Sequence, residues 1–152
     1  MFHPVVEALV ELGHTVVVTV GHRGDTRAVS SRFPEVHVAN YIPQRFILER
    51  AILVICHGGI NTILGALSHG VPLLVLPTEQ SDQRWNAKRC EQLGIGLSID
   101  IEVVDKETIN VAASAILAES RYLRSVRSCM EEMLRLPSME RSVELLMGLA
   151  GN

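Results

Sequence analysis

The sequence predicts an α/β domain in which a doubly wound parallel sheet is covered by helices on both faces. Short runs of apolar residues alternate along the chain with segments in which apolar residues recur at helical spacing, the pattern of a parallel sheet with crossover helices. The chain has 152 residues, with 47% hydrophobic and 20% charged residues, as expected for one globular domain. We therefore predict a single domain over residues 1–152.

The first half of the chain predicts one helix followed by three short strands. Apolar residues at helical spacing begin at Phe2, and Gly13 ends that helix as its C-cap. The β-branched run Thr15–Val20 predicts a strand buried on both faces. Polar residues 21–33 predict a loop or a short helix. Two further strands are predicted at Val36–Ala39 and Ile52–Cys56.

The second half continues the alternation and ends in helices. The apolar stripe Ile60–Leu67 predicts a helix that stops at Gly70 and Pro72. Asp105 is the predicted N-cap of a later helix whose stripe begins at Ile109. Two more helices finish the chain, the last with Ser138 as its predicted cap. The remaining predicted elements are strands Leu73–Leu76 and Gly96–Ile99 and a helix over Gln83–Leu93.

The sheet is predicted to lack its first strand. A doubly wound domain usually opens with a strand that lies in the middle of the sheet, whereas this sequence opens with a helix. The strands Thr15–Val20 and Ile52–Cys56 should flank the missing one, with unpaired backbone groups facing the gap. Three outcomes are expected: the two strands close up, another chain fills the gap, or the domain is marginally stable.

Charge and cysteine usage exclude several classes of partner. The net charge of −3 argues against binding to a nucleic-acid backbone. No stretch reaches the roughly 18 apolar residues of a membrane span, and Met1–Val20 lacks the basic start of a signal peptide. Three cysteines without metal-like spacing predict free thiols, no metal site and a cytoplasmic location. His22 and His69 are interpreted as surface or packing residues.

The run His57-Gly58-Gly59-Ile60-Asn61-Thr62 predicts an anion site, because it lies between a buried strand and a helix. Glycines allow close approach of a ligand to the backbone. The free amides of the helix N-terminus, together with the donors of His57, Asn61 and Thr62, then suit a diphosphate. The alternative interpretation is a strand-to-helix turn capped by Asn61.

Two further loops follow strands and are expected at the same edge of the sheet. Tyr41-Ile42-Pro43-Gln44 offers an aromatic face on which a base could stack; the alternative is a tyrosine half-buried at a strand end. Pro77–Gln83 places the acid Asp82 beside the amide Gln83, a pair suited to vicinal hydroxyls. For this loop the alternative is that Asp82 only caps the next helix.

Together these motifs resemble a known family. YIPQ, HGGINT, GVP and DQ followed by NA occur in this order over Val38–Leu97. The pattern is similar to the C-terminal domain of inverting, GT-B-fold glycosyltransferases that act on small molecules, which include flavonoid, antibiotic and sterol glycosyltransferases. The resemblance implies a Rossmann-like half of a GT-B fold. It also implies transfer of a hexose from a UDP- or TDP-sugar to a hydroxyl of a small acceptor, with inversion and without cofactor or metal.

The resemblance also implies a role for each matching residue. Tyr41 would stack on the base with Gln44 beside it, and Asp82 and Gln83 would contact the sugar hydroxyls. The diphosphate cradle would comprise His57, Gly58, Gly59, Asn61 and Thr62.

No catalytic residue is expected in this chain, because in the family an N-terminal domain supplies the base and most of the acceptor pocket.

Two departures from the family pattern affect these assignments. Many relatives have a ribose-binding Glu where this chain has Gly65, so ribose recognition is weaker or supplied elsewhere. Asp82 stands five residues after Pro77 rather than four, so Glu79-Gln80 is an alternative sugar contact. Three rival functions are a donor-binding subunit that needs a separate acceptor-side chain, a sugar-nucleotide epimerase, and a fragment without function.

Overall fold

The computed structural model describes residues 2–137 and 139–150, which form five strands and eight α-helices. The strands are β1 Val17–Thr19, β2 His37–Ala39, β3 Val54–Cys56, β4 Leu73–Val75 and β5 Gly96–Ser98. The helices are α1 Phe2–Glu11, α2 Arg27–Ser30, α3 Gln44–Leu48, α4 Ile60–Ser68, α5 Ser81–Gln92, α6 Lys106–Ala118, α7 Ser120–Leu134 and α8 Met139–Ala150. A 3-10 helix lies at Ile101–Val103.

The strands form two separate parallel sheets. One sheet has the order β1-β2 and the other β3-β4-β5, and every pairing is parallel. The parallel α/β fold predicted from the sequence is therefore confirmed. Among the residues described, β1 and β3 do not pair, so the expected gap is present and the two flanking strands have not closed up.

Helices cover the two faces of the sheets in distinct groups. Helices α1, α2 and α6 pack on one face of the sheets. Val18 of β1 and Leu74 of β4 each belong to a hydrophobic cluster on that face. Helices α3, α4, α5 and α7 pack on the opposite face around Leu73 and Val75 of β4. Helix α1 contributes Val6 to the β1 cluster and Ala8 to the β4 cluster. It therefore joins the two sheets across the gap.

The prediction that Thr15–Val20 is buried on both faces is wrong. Val16 and Val18 are buried, but the Val17 side chain is 39% exposed and Thr19 is exposed. Helices α1 and α2 cover only the face of Val16 and Val18. The opposite face, with Val17, stays exposed. The strand is therefore half-exposed because the described helices cover only one of its faces.

Most helix ends lie where the sequence places them. Gly13 has φ +77° after α1, and Asp105 caps α6 by accepting a 2.7 Å hydrogen bond from the Thr108 amide. Helix α5 instead begins at Ser81 with Gln80 as N-cap. Asp82 thus lies inside the first turn, and the prediction that it caps the helix is wrong.

Three further points complete the fold. Helix α3 was not predicted, because its five residues are too few for a periodic pattern. The predicted cap Ser138 lies outside the residues that the structure describes. No helix within the described ranges is long and apolar enough to cross a lipid bilayer.

Candidate nucleotide-binding site

The three predicted loops meet at the carboxyl edge of the strands. The Gln44 side-chain amide donates a 3.1 Å hydrogen bond to the Thr62 hydroxyl, which joins the YIPQ loop to helix α4. The Asn86 side-chain amide donates a 2.9 Å hydrogen bond to the Gly58 carbonyl, which joins α5 to the HGG turn. Parallel sheets bind ligands beyond this edge, so these bonds unite the predicted segments where a site is expected.

The N-terminus of α4 presents unsatisfied donors. Gly59 is the N-cap, and no side chain caps the helix. Its carbonyl accepts from the amides of Thr62 at 3.1 Å and Ile63 at 3.2 Å. The amides of Ile60 and Asn61 have no partner among the described residues. Such amides, together with the helix dipole, favour a bound anion. The alternative of an Asn61 cap is wrong, because Asn61 lies within the helix.

His57 borders the same N-terminus. A Cβ added at Gly59 would lie 2.8 Å from Nε2 of His57, so the imidazole ring lies directly over the glycine. Any larger side chain at position 59 would displace the ring. His57 and Asn61 are exposed and Thr62 is partly exposed, so their side-chain donors are accessible to a ligand. The arrangement can offer backbone and side-chain donors to a single anionic group.

Gly58 forms the turn that connects β3 to α4. It has φ +92°, a conformation that favours glycine. An added Cβ would lie 3.0 Å from Cγ1 of Val75 and 3.1 Å from the Gln83 carbonyl oxygen. Glycine is therefore required at this turn for two reasons, the positive backbone φ angle and the close contact with β4 and α5.

Uncharged thiols lie beneath the turn. Burial raises the pKa of the Cys56 thiol, and the hydrogen bond from the Gly58 amide offsets only part of this rise. Burial, with a smaller repulsion from Cys56, raises the pKa of Cys90 to about 11. All three cysteines are unpaired, as predicted. Cys56 and Cys90 act here as neutral packing groups.

The Gln44 side chain occupies the space beside Gly65. A Cβ at Gly65 would lie 3.2 Å from Oε1 of Gln44 and 3.3 Å from Cδ1 of Leu48. The absence of a side chain at position 65 therefore gives the Gln44 amide room to reach Thr62. The sequence pattern alone did not predict this hydrogen bond between Gln44 and Thr62.

Tyr41 lies at the β2 end of the site, and 62% of the residue is exposed. The alternative of a half-buried tyrosine is therefore wrong. The His22 ring stacks on Tyr41 with centroids 5.1 Å apart and planes 19° from parallel. Asn40 fixes the loop of His22 by donating to the carbonyls of Gly21 at 3.1 Å and Gly24 at 2.7 Å. His22, which the sequence suggested was a surface or packing residue, thus supports one face of the tyrosine.

The predicted acid–amide pair has separated roles. Gln83 is only 5% exposed. Its side-chain oxygen accepts from the Thr78 amide at 3.1 Å and the Thr78 hydroxyl at 2.7 Å, and its nitrogen donates to Gln80 at 2.8 Å. Asp82 is exposed in the first turn of α5. Gln83 therefore holds the loop internally, while Asp82 faces solvent.

Comparison with known proteins places this geometry in a family context. The family model described as "Erythromycin biosynthesis protein CIII-like, C-terminal domain" matches residues 3–149. The NDP-glycosyltransferase YjiC of Bacillus subtilis is 28% identical over 127 residues, which are 84% of this chain and 32% of that protein. The aclacinomycin-T 2-deoxy-L-fucose transferase of Streptomyces galilaeus is 31% identical over 143 residues, 93% of this chain and 32% of that protein.

A solved structure agrees with these relatives. The glycotransferase of kitacinnamycin superposes with a TM-score of 0.84 at 28% identity, covering 95% of this chain and 38% of that one. The present chain spans about a third of the length of the curated relatives it matches.

Proposed function

The chain belongs to the family of erythromycin biosynthesis protein CIII-like C-terminal domains, and on that premise we propose that it is the donor-binding domain of a glycosyltransferase. The domain binds a UDP- or TDP-sugar, from which a hexose passes to a hydroxyl of a small-molecule acceptor with inversion. The similar proteins named as an NDP-glycosyltransferase and a deoxysugar transferase support this class of donor.

One observation carries the proposal: the unpartnered amides of Ile60 and Asn61 at the N-terminus of α4, bordered by His57. These donors are fixed before the ligand arrives. They can therefore stabilise the negative charge that grows on the departing diphosphate, an effect worth about 2.7–4 kcal/mol for one such donor. We propose that these donors stabilise the departing diphosphate without a metal ion or another cofactor.

The nucleoside would extend from the cradle toward β2. We propose that the uracil or thymine base stacks on the face of Tyr41 opposite His22, since that ring is largely exposed. Gln44 follows Tyr41 by three residues in the sequence and donates a hydrogen bond to Thr62. It is the group placed to contact the nucleoside where a glutamate at position 65 is missing.

The sugar would lie toward the loop after β4. Asp82 is exposed there and can accept hydrogen bonds from sugar hydroxyls. The Gln83 side chain is already committed to Thr78 and Gln80. We therefore propose that Asp82 contacts the sugar directly, whereas Gln83 positions the loop.

The acceptor side of the reaction lies outside this chain. The base that deprotonates the acceptor and most of the acceptor pocket are proposed to belong to an N-terminal domain or a partner chain. Purified chain incubated with nucleotide sugars and hydroxylated acceptors should then give no glycoside. The unpaired cysteines favour a reducing, cytoplasmic compartment.

A donor-binding subunit that acts with a separate acceptor-side chain is a second candidate. It is favoured by the apolar residues that α8 exposes. These are Val143, Leu145, Leu146, Met147 and Leu149.

Calorimetric titration with UDP and dTDP tests the donor proposal. Gly59→Val should abolish binding, because the added side chain displaces His57 from above the cradle. Gly148→Val is the matched control, since a Cβ at that glycine meets no atom within 4 Å. Equal binding by the two variants would place the diphosphate elsewhere.

A further inference from the structure

The only tryptophan of the sequence, Trp85, lies on the outer surface of α5. The residue is 67% exposed, more than either Tyr41 or Phe46. No described residue stacks on its ring or accepts a hydrogen bond from its indole N–H. Tryptophan joins a large apolar surface to one polar donor and is enriched at binding surfaces. An exposed indole without a partner in the described part of the chain therefore indicates a contact with something outside it.

The rotation of α5 about its own axis places Trp85 on the side of the proposed cradle. The Asn86 side-chain amide donates a 2.9 Å hydrogen bond to the Gly58 carbonyl, so the side of α5 that carries Asn86 faces the HGG turn. Gln83 is buried against the loop after β4. At about 100° per residue, Asp82 follows Asn86 around the helix and Trp85 lies beyond Asp82. The order outward from the cradle is therefore Asn86, Asp82 and Trp85.

Asp82 and Trp85 are neighbours on the surface of α5. Residues three apart in an α-helix have Cβ atoms about 5–6 Å apart. A helical side chain also points back toward the N-terminus of its helix, so it covers the turn before its own Cα. We therefore expect the Trp85 ring to lie toward the first turn of α5, which contains Asp82. An exposed carboxylate and an exposed indole are thus presented side by side.

This pair of groups is suited to a sugar ring. A hexose carries hydroxyls around its edge and C–H groups on its two faces. A carboxylate accepts hydrogen bonds from the hydroxyls, and the flat indole gains dispersion contacts with a C–H face. Lys88 and Arg89 are exposed one turn further along α5 and would suit an acidic protein partner. The carboxylate of Asp82 beside the ring disfavours such a partner, so the sugar is the better match.

We propose that Trp85 stacks on the hexose of the donor and is a specificity-determining residue for the sugar. This contact rests on the proposed function, because the hexose must extend from the diphosphate toward the loop after β4. A hexose that bonds Asp82 through its hydroxyls would lay one C–H face on the indole. The free nucleoside diphosphate has no hexose and would leave the ring exposed. Trp85 would therefore distinguish sugar nucleotides from diphosphates, and would not distinguish one base from another.

Acrylamide quenching of tryptophan fluorescence tests this contact, because a single tryptophan gives the whole signal. UDP-glucose and dTDP-glucose are the probes, with UDP and dTDP as their matched controls. Saturating sugar nucleotide should lower the quenching constant by about twofold, since a hexose covers one of the two faces of the ring. Saturating diphosphate should leave the quenching constant of the free chain unchanged.

Variants measured by titration calorimetry locate the effect to Trp85. Trp85→Ala should weaken binding of the sugar nucleotide by about 2- to 12-fold and leave binding of the diphosphate unchanged. Trp85→Phe keeps a flat ring and should retain most of the preference for the sugar nucleotide. Val111→Ala is the matched control, since Val111 is similarly exposed but lies on α6 at the opposite face of the sheet.

Three outcomes would overturn the proposal. Equal loss of both ligands in Trp85→Ala, or no loss of either, would mean that the ring does not read the sugar. Equal protection of the ring by diphosphate and sugar nucleotide would assign Trp85 to the nucleotide. Protection in the free chain that disappears on dilution would assign it to a contact between copies of this chain.

Failure of the proposed function gives a different result. If the parent chain binds neither the diphosphate nor the sugar nucleotide, the donor site itself is wrong and the Trp85 contact falls with it. If the parent binds both equally well and Trp85 stays accessible to acrylamide, only the Trp85 contact is wrong.

Discussion

The two sheets of this domain have similar strand sequences but differ in burial. Leu73, Leu74 and Val75 of β4 are fully buried between two helical layers, whereas Val17 of β1 is 39% exposed. Both runs are apolar and both were predicted to be buried strands. The difference shows that a strand is buried on both faces only where helices cover both faces, which the strand's own residues do not determine.

The proposed ligand contacts are divided in the same way. The diphosphate cradle belongs to the β3-β4-β5 sheet, where Gly58, Gln83 and Asn86 hold the turn from several sides. The proposed base contact Tyr41 belongs to the β1-β2 sheet and is supported by His22. The Gln44–Thr62 hydrogen bond connects the two parts at the ligand edge. The account therefore predicts a firm phosphate site and a more weakly anchored base site.

The largest expected effect is on stability, and it contrasts the two sheets directly. Leu74→Ala removes fully buried apolar atoms of β4 and should cost about 2–5 kcal/mol of unfolding free energy. Val17→Ala, in the exposed position of β1, should cost no more than about 0.5 kcal/mol. Urea unfolding followed by circular dichroism measures both. Similar costs would mean that β1 is as well packed in solution as β4.

A smaller effect is expected from the glycine turns that follow β1 and β3. Gly58 and Gly21 both have positive φ, but only Gly58 is crowded by Val75 and Gln83. Each alanine substitution carries backbone strain of about 1–3 kcal/mol, and Gly58→Ala should exceed Gly21→Ala because its Cβ also forces Val75 aside. Unfolding free energies of the two variants test this order. A greater loss for Gly21→Ala would contradict the packing described for the HGG turn.

How far the sequence predicts this molecule depends on the range of the interaction involved. Strand order, the order of the longer helices, the Gly13 cap and the Asp105 cap depend on local pattern, and these were predicted. The exposure of Val17, the stacking of His22 on Tyr41 and the internal hydrogen bonds of Gln83 depend on partners distant in sequence or on loop geometry. No periodicity or cap rule encodes those contacts, so the structure was needed to find them.

The larger of the two expected effects on ligand affinity is at the base site. Tyr41→Ala should weaken binding of UDP or dTDP by about 1–3 kcal/mol, the range for base–aromatic stacking. Tyr41→Phe keeps the flat ring and should bind nearly as well as the parent. Titration calorimetry gives both values. If loss of the ring leaves affinity unchanged, the β1-β2 sheet does not contribute the base contact.

The smallest expected effect is a loss of sugar-nucleotide affinity at the loop after β4. Asp82→Ala should weaken binding of a sugar nucleotide by about 0.5–1.5 kcal/mol, the usual value of a hydrogen bond, and leave the free diphosphate unaffected. Gln83→Ala should instead lower stability, because Thr78 loses its acceptor. Parallel titrations with UDP and UDP-glucose separate these roles. Equal losses for both ligands in Asp82→Ala would remove Asp82 from the sugar contact.

Nucleotide titration of the ¹⁵N-labelled chain tests the central claim most directly. The account predicts that UDP or dTDP perturbs the amide resonances of Gly59, Ile60 and Asn61 most strongly, because the diphosphate would accept hydrogen bonds at the N-terminus of α4. A smaller change is predicted around Tyr41 and His22. Saturating nucleotide that leaves these three amides unshifted, or shifts only residues away from the HGG turn, would contradict the claim that this domain binds its donor there.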